Sequence, residues 1–167
     1  MYDELTAEDI KKMQEELDYR TRVLRPQLID DVKVARGFGD LSENFEYKAA
    51  KREKNRNDSR VRYLERMIKT AKVISGSSSG EAAGLYDRVT IRAEDDGTER
   101  VITLVTTLRQ NAPEGLISKE SPVGKAVMGT KPGDRVFVKL GEDDGYWLDI
   151  LAVEKGSDDG SIPIRGY

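Results

Sequence analysis

A single glycine-bearing turn, Gly37 to Tyr47 (GFGDLSENFEY), separates two long segments in which apolar residues recur at helical intervals. Upstream, Ile10, Met13, Leu17, Leu24, Leu28, Val32 and Ala35 follow at steps of three or four residues, or sums of them. Downstream, Ala49, Ala50, Val61, Tyr63, Leu64, Met67, Ile68 and Ala71 are the inward candidates. Such stripes bury themselves against one another, so the flanks are expected to pair as an antiparallel two-helix coiled coil. Each flank runs about 30 residues, which at ~1.5 Å per residue gives a rod of roughly 45 Å, longer than a compact domain needs for its own core. The turn carries Asp40, Glu43 and Glu46 at or near the end of that rod. This suits delivery of acid groups to a distant place, although carboxylates three residues apart are also common on soluble helices.

Local signals place the helix ends. Thr6-Ala7-Glu8-Asp9 resembles a capping box with Asp in place of Glu, so the first helix is expected to start near Thr6. Pro26 removes one intrahelical bond, and because the stripe resumes in phase a bend around Arg25-Pro26 is expected rather than an end. Gly37 and Gly39 stop the helix. Ser42 or Asp40 is the expected cap of the second helix, which should run to about Lys72. Asn55 to Ser59 has almost no apolar residues, so the tip half of that helix is expected to be looser than its base.

Composition narrows the chemistry. With no Cys and no His among 167 residues, thiol nucleophiles, disulfides, His or Cys zinc sites and Ser-His arrangements are excluded, and any chemistry must use carboxylates. Net charge is only −3, but Lys48 to Lys72 holds ten cations against three acids. That stripe fits contact with phosphates and equally fits a solvated helix face. No apolar run approaches the ~20 residues that span a bilayer, and MYDELTAED lacks a basic start followed by an apolar stretch. A cytoplasmic protein with no membrane contact is expected.

Ser75-Gly76-Ser77-Ser78-Ser79-Gly80 changes the character of the chain and reads as a flexible linker. The expected division is a coiled-coil domain over 1–75, a linker over 76–84, a second domain over 85–156 and a tail over 157–167. Strand-like runs at Arg88 to Arg92, Arg100 to Thr107, Arg135 to Leu140 and Trp147 to Val153 are separated by turns such as Asp96-Gly97 and Asp144-Gly145. Ser121-Pro122-Val123-Gly124-Lys125-Ala126-Val127-Met128-Gly129 reads as a short helix with Ser121 as cap and Pro122 at its first position. The fold class expected is α+β, a small sheet with one helix behind a coiled coil. Alternation puts one of Tyr146 and Trp147 inside and the other outside. The polar tail Ser157 to Tyr167 reads as disordered or loosely docked.

LTAED, RPQLIDDVKVARGFGDLSENFEYKAAKREK and the helix ending AKVI resemble the N-terminal coiled coil of the bacterial Gre transcript-cleavage factors, GreA type. GLISKESPVGKAVMG and KPGDRVFV are similar to segments of that family's FKBP-like domain. The resemblance covers roughly Leu5 to Glu154, and GDLSENFEY is its most specific part.

The resemblance implies a monomeric factor that inserts its coiled coil into the secondary channel of a backtracked RNA polymerase, which then cleaves its own transcript near the RNA 3′ end. Asp40 and Glu43 match the family's tip acids and would share a Mg²⁺ with the polymerase, two-metal hydrolysis with ligands split between two proteins. No metal or other cofactor is expected on the chain alone, and no nuclease activity. Arg36, Lys51, Arg52 and Arg56 match the basic positions that meet the extruded RNA or the channel wall. Leu41, Asn44 and Tyr47 shape the tip. Ser121 and Pro122 match a segment placed near the polymerase, a position that helix capping alone also explains. Where family members carry an acidic stretch ahead of the Ile-Ser motif, this chain has Arg109-Gln110-Asn111, a departure in a loop that bears on docking. Two other readings stay open on sequence: a channel-binding inhibitor of the same architecture, and a coiled-coil adaptor or foldase with no chemistry at the tip.

Overall fold

The computed structural model describes residues 3–39 and 43–166. The chain divides into two compact units, one of Ile10–Ala71 and one that joins Met1–Asp9 to Lys72–Gly166. The sequence reading instead drew its boundary at the Ser75 to Gly80 run. The difference arises because Glu4–Thr6 (β1) pairs in parallel with Lys72–Ile74 (β2), in the register Glu4 to Lys72 and Thr6 to Ile74. Three-residue strands carry too little pattern to be read from sequence.

The first unit is a helical hairpin. Its outgoing arm consists of α1 (Ala7–Tyr19), a π-helical stretch Arg20–Leu24, and α2 (Arg25–Arg36); its return arm is α3 (Phe45–Thr70). The helix does not end at Pro26, and the stretch before it is π-helical. Proline has no N–H to give and its ring crowds the carbonyl four residues back. In the widened turn before it the Arg25 N–H donates to the Arg20 carbonyl, five residues back. Met13, Val32, Ala35, Val61, Leu64 and Met67 are buried, all of them on the apolar stripes. Ala49, an inward candidate, is exposed and Ala50 is half-buried.

Between the apolar parts of the seam lies a polar layer. Arg60 donates to Glu16 through Nε (2.8 Å) and Nη2 (3.0 Å), and Arg20 Nε donates to the same carboxylate at 2.7 Å. Arg20 Nη1 donates to Asn57 Oδ1 (3.0 Å), and Asn57 Nδ2 returns a bond to the Arg20 carbonyl (3.2 Å). Asn57 and Arg60 are buried. Burial pushes the Glu16 carboxyl up, but the hydrogen bonds from Arg60 and Arg20 outweigh it and hold it below the usual carboxylate range.

The second unit is a mixed sheet with one helix, the α+β organisation expected. Its strands are β3 (Arg88–Ala93), β4 (Glu99–Val105), β5 (Leu116–Ser118), β6 (Arg135–Lys139) and β7 (Gly145–Glu154), in the order β5-β4-β3-β7-β6. Within this five-stranded sheet the β4 and β5 pair is parallel and the others are antiparallel, and the unit also holds the parallel β1 and β2 pair. The helix α4 (Pro122–Val127) contributes Val127 to a core of Val89, Ile91, Leu104, Val138, Leu148 and Ile150. Gly124 sits mid-helix because a Cβ there would run into the Ser118 carbonyl. Tyr146 packs against this core, whereas Trp147 faces out beside Phe137 at 5.3 Å between ring centroids.

The linker and tail expectations are corrected by this unit. Ala83 is buried in the core and donates its N–H to the Thr130 carbonyl at 2.7 Å. Ser77 bridges Ser157 and the Ser78 hydroxyl donates to Asp87 at 3.1 Å, so the serine-rich run, though mostly exposed, is tied to the rest of the unit. In the tail, Ile162 lies against Leu85, Tyr86 and Val105. Asp158 Oδ1 and Oδ2 accept from both terminal nitrogens of Arg109 at 3.1 Å. The side chain of Arg109 is fully buried, and its Nε lies 2.7 Å from Asp9 Oδ1. Asp158 also accepts from the Thr6 hydroxyl (2.6 Å), and Asp9 from the Thr106 hydroxyl (2.8 Å). Asp9 closes the expected capping box as well, since it accepts from the Thr6 N–H at 2.9 Å while its own N–H donates to Thr6 Oγ1 at 3.2 Å.

Candidate functional site at the hairpin turn

The turn of the hairpin collects most of the residues singled out from sequence. Asp40 and Leu41, with Ser42, lie outside the described residues. Glu43 is described and exposed. α2 ends where Gly37 and Phe38 donate their N–H groups to the Val34 and Ala35 carbonyls at 3.0 and 3.1 Å. The chain turns out through Gly39 at φ 145°, a backbone conformation that strongly favours glycine.

The return is organised by Asn44. The cap expected from Ser42 or Asp40 is supplied by Asn44, which has extended backbone (φ −85°, ψ 98°) one residue before α3. Its Oδ1 accepts from the Tyr47 N–H at 3.0 Å, and its Nδ2 donates to the Ala35 carbonyl of the other arm at 2.6 Å. Only 6% of Asn44 is exposed, so one side chain both starts α3 and ties the arms together. Asn44→Ala is expected to lower the stability of the hairpin by about 1–2 kcal/mol, because the cap is lost and a carbonyl is left short of a partner. Thermal unfolding followed by far-ultraviolet circular dichroism reads that loss. Asn44→Asp keeps the cap acceptor but sets an oxygen against the Ala35 carbonyl, so it is expected to lose the tie between the arms as well.

Behind the acids the surface is cationic and aromatic. Arg36 of α2 lies 5.6 Å from the Tyr47 ring centroid and Lys51 of α3 lies 5.9 Å from it, so the ring gathers charge from both arms. Lys48, Lys51, Arg52, Asn55, Arg56 and Ser59 line one open concavity along α3. The four predicted cations Arg36, Lys51, Arg52 and Arg56 therefore lie with Tyr47 on the part of the hairpin next to the turn. Such a surface can neutralise phosphates without reading a base sequence.

Ser121 and Pro122 belong to the other compact unit. Ser121 caps α4, accepting from the Gly124 N–H at 3.0 Å and donating to the Ser118 carbonyl at 2.6 Å, while Pro122 is exposed at the first helical position. Arg109 does not project from its loop but is buried, leaving Gln110 and Asn111 exposed.

Among the described residues no three acids converge where they could hold a metal ion. The described acid of the candidate pair, Glu43, offers exposed carboxylate oxygens, the donor type that suits Mg²⁺ as one or two ligands supplementing waters and a larger site. No described helix is long and apolar enough to cross a membrane. The sequence reading missed Phe38 and Phe45, the two most exposed large apolar side chains among the described residues; their signal was bulk aromatic residues placed outside both stripes.

Comparison with known proteins agrees over nearly the whole chain. A family model described as the N-terminal part of transcription elongation factors matches residues 4–73, and one described as the C-terminal part of GreA/GreB matches residues 78–155. The transcription elongation factor GreA of Oenococcus oeni is 38% identical over 152 residues, covering 90% of this chain and 94% of that protein. The transcription elongation factor GreA of Bacillus subtilis is 39% identical over 135 residues, covering 81% and 86%. The crystal structure of GreA factor homolog 1 of Thermus thermophilus is 22% identical, covers 92% of this chain and 99% of its own, and gives a TM-score of 0.43.

Proposed function

Because the chain belongs to the GreA/GreB family of transcription elongation factors, we propose that its hairpin enters the secondary channel of a backtracked RNA polymerase and stimulates cleavage of the RNA 3′ end. The observation that carries this reading is the turn itself. An exposed Glu43 stands one residue before a buried, two-armed Asn44 cap, with a cation-lined surface directly behind it.

In this reading each feature has a task. Asn44 fixes the start of α3 and hence the place of Glu43. Arg36, Lys51, Arg52 and Arg56 hold the phosphates of the extruded RNA or meet the channel wall, and Tyr47 collects two of those cations. Asp40 and Glu43 supply carboxylate oxygens toward a Mg²⁺ held mainly by the polymerase. The chemistry such a metal would supply is polarisation of the phosphodiester and activation of a bound water, with Asp40 and Glu43 as the residues of this chain that would help to hold it. The chain is thus a stimulating factor and not itself the catalyst. Ser121 and Pro122 are assigned a secondary part in docking on the polymerase, with Ser121 also serving as a helix cap.

The test adds the protein to stalled, backtracked polymerase complexes carrying 5′-labelled RNA, at several Mg²⁺ concentrations. Shortened RNA is expected with polymerase and none with the protein and RNA alone. Binding to polymerase without shortening would instead make this a channel-occupying regulator.

A further inference from the structure

Phe38 and Phe45 bracket the acidic turn, two residues before Asp40 and two after Glu43. They leave 69% and 78% of their surfaces to solvent, and no other large apolar side chain among the described residues is as exposed. Folding of the hairpin does not account for them, because neither sits on a seam and neither is buried. Single exposed apolar side chains are ordinary, but two aromatic rings flanking one turn, the most exposed large apolar side chains among the described residues, offer an apolar surface suited to contact with something else.

Their surroundings say what that something is. Lys48 Nζ lies 5.8 Å from the Phe45 ring centroid, and Lys48 continues into the surface of Lys51, Arg52 and Arg56. Lysine is depleted from protein–protein interfaces, whereas aromatic faces set among cations are the means by which single-stranded nucleic acid is held: bases stack on rings and phosphates meet the charges. Stacking of this sort tolerates any base, as a factor that must act at any transcript position requires.

We propose that Phe45, together with Phe38, stacks a base of the displaced 3′ segment of RNA and so positions the adjacent phosphodiester at the turn. The proposal rests on the cleavage-factor reading above. The rings touch the RNA base and take no part in bond breaking; they are positioning residues.

The experiment uses the full chain and backtracked polymerase complexes whose extruded 3′ nucleotides either carry bases or are abasic. Phe38→Leu and Phe45→Leu keep apolar bulk and remove the ring, and Phe45→Trp keeps a larger ring. On base-bearing RNA the Leu variants are expected to cleave about five-fold more slowly or worse at subsaturating protein, and Phe45→Trp to match the parent chain. On abasic RNA the Leu variants and the parent should be equal. Equal losses on both RNAs would place the rings against the polymerase wall and overturn the proposal, as would no loss on either. If the parent chain shortens no RNA at all, the cleavage reading fails first and the stacking proposal falls with it; the parent lane separates the two failures.

Discussion

Asp40→Asn combined with Glu43→Gln is expected to abolish transcript shortening in backtracked complexes, a loss of about 100-fold or more, with the hairpin still folded and still able to bind polymerase. The size follows from what the proposed function assigns to these residues: each substitution preserves side-chain size and takes away one negative charge, and single electrostatic groups acting at a reacting centre are worth about 100- to 1,000-fold. Binding should survive because the proposed function assigns it to the cations behind the turn and to the second unit, none of which are altered. The same pair of substitutions separates the rival readings. An inhibitor of the same architecture would show changed inhibition, and an adaptor or foldase would be indifferent. Glu43→Gln alone is expected to raise the Mg²⁺ concentration needed for half-maximal cleavage, because one oxygen ligand of the shared metal is weakened.

Arg109→Met is expected to be the most destabilising single change in the second unit, by about 3–5 kcal/mol, the usual cost of removing one partner from a buried ion pair. Arg109 is buried with two carboxylates, Asp9 and Asp158. Without its guanidinium both are left uncompensated away from water. Asp158→Asn should cost less, because Arg109 keeps Asp9. Truncation after Gly156 should fall between the two, since it removes the packing of Ile162 along with Asp158. The lone tryptophan, Trp147, sits on β7 of this unit, so denaturant unfolding followed by its fluorescence reports the unit directly. An unchanged midpoint in Arg109→Met would show that the buried cluster contributes nothing net.

These two predictions differ in how far sequence alone supports them. The acids stand out because their spacing sits in a turn between two periodic segments and the family resemblance gives that spacing a chemical meaning; of the two, Glu43 is described and exposed, and Asp40 lies outside the described residues. The hairpin arms were legible for the same reason, as was the Thr6 and Asp9 cap, whose partners are three residues apart. Arg109 was not. Its partners lie 49 residues ahead, in Asp158, and 100 behind, in Asp9, and a polar tail with Asp-Asp-Gly reads as loose until an arginine is placed beneath it. The division into units escaped for a related reason: it depends on pairing Glu4 with Lys72, strands too short to show a period. Asn44 was read as shaping the tip, but which residue starts α3 was assigned to its neighbours, because Asp, Ser and Asn are equally good caps by chemistry and only backbone geometry chooses among them.

Arg20, Glu16, Asn57 and Arg60 were the least legible, since each alone reads as surface. Together they have a consequence for accuracy of aim. An apolar seam tolerates sliding of one arm along the other, because one methyl group is much like the next. A guanidinium bonded to a carboxylate across that seam, beside an amide bonded to a main-chain carbonyl, tolerates none: a slip of one residue would take Arg60 off Glu16 and Asn57 off Arg20. From Asn57 to Phe45 the return arm is continuous helix, about 18 Å at ~1.5 Å per residue. The layer therefore works as the zero mark of a ruler, and the start of α3, with Glu43 two residues before it, is carried at a set distance from that mark.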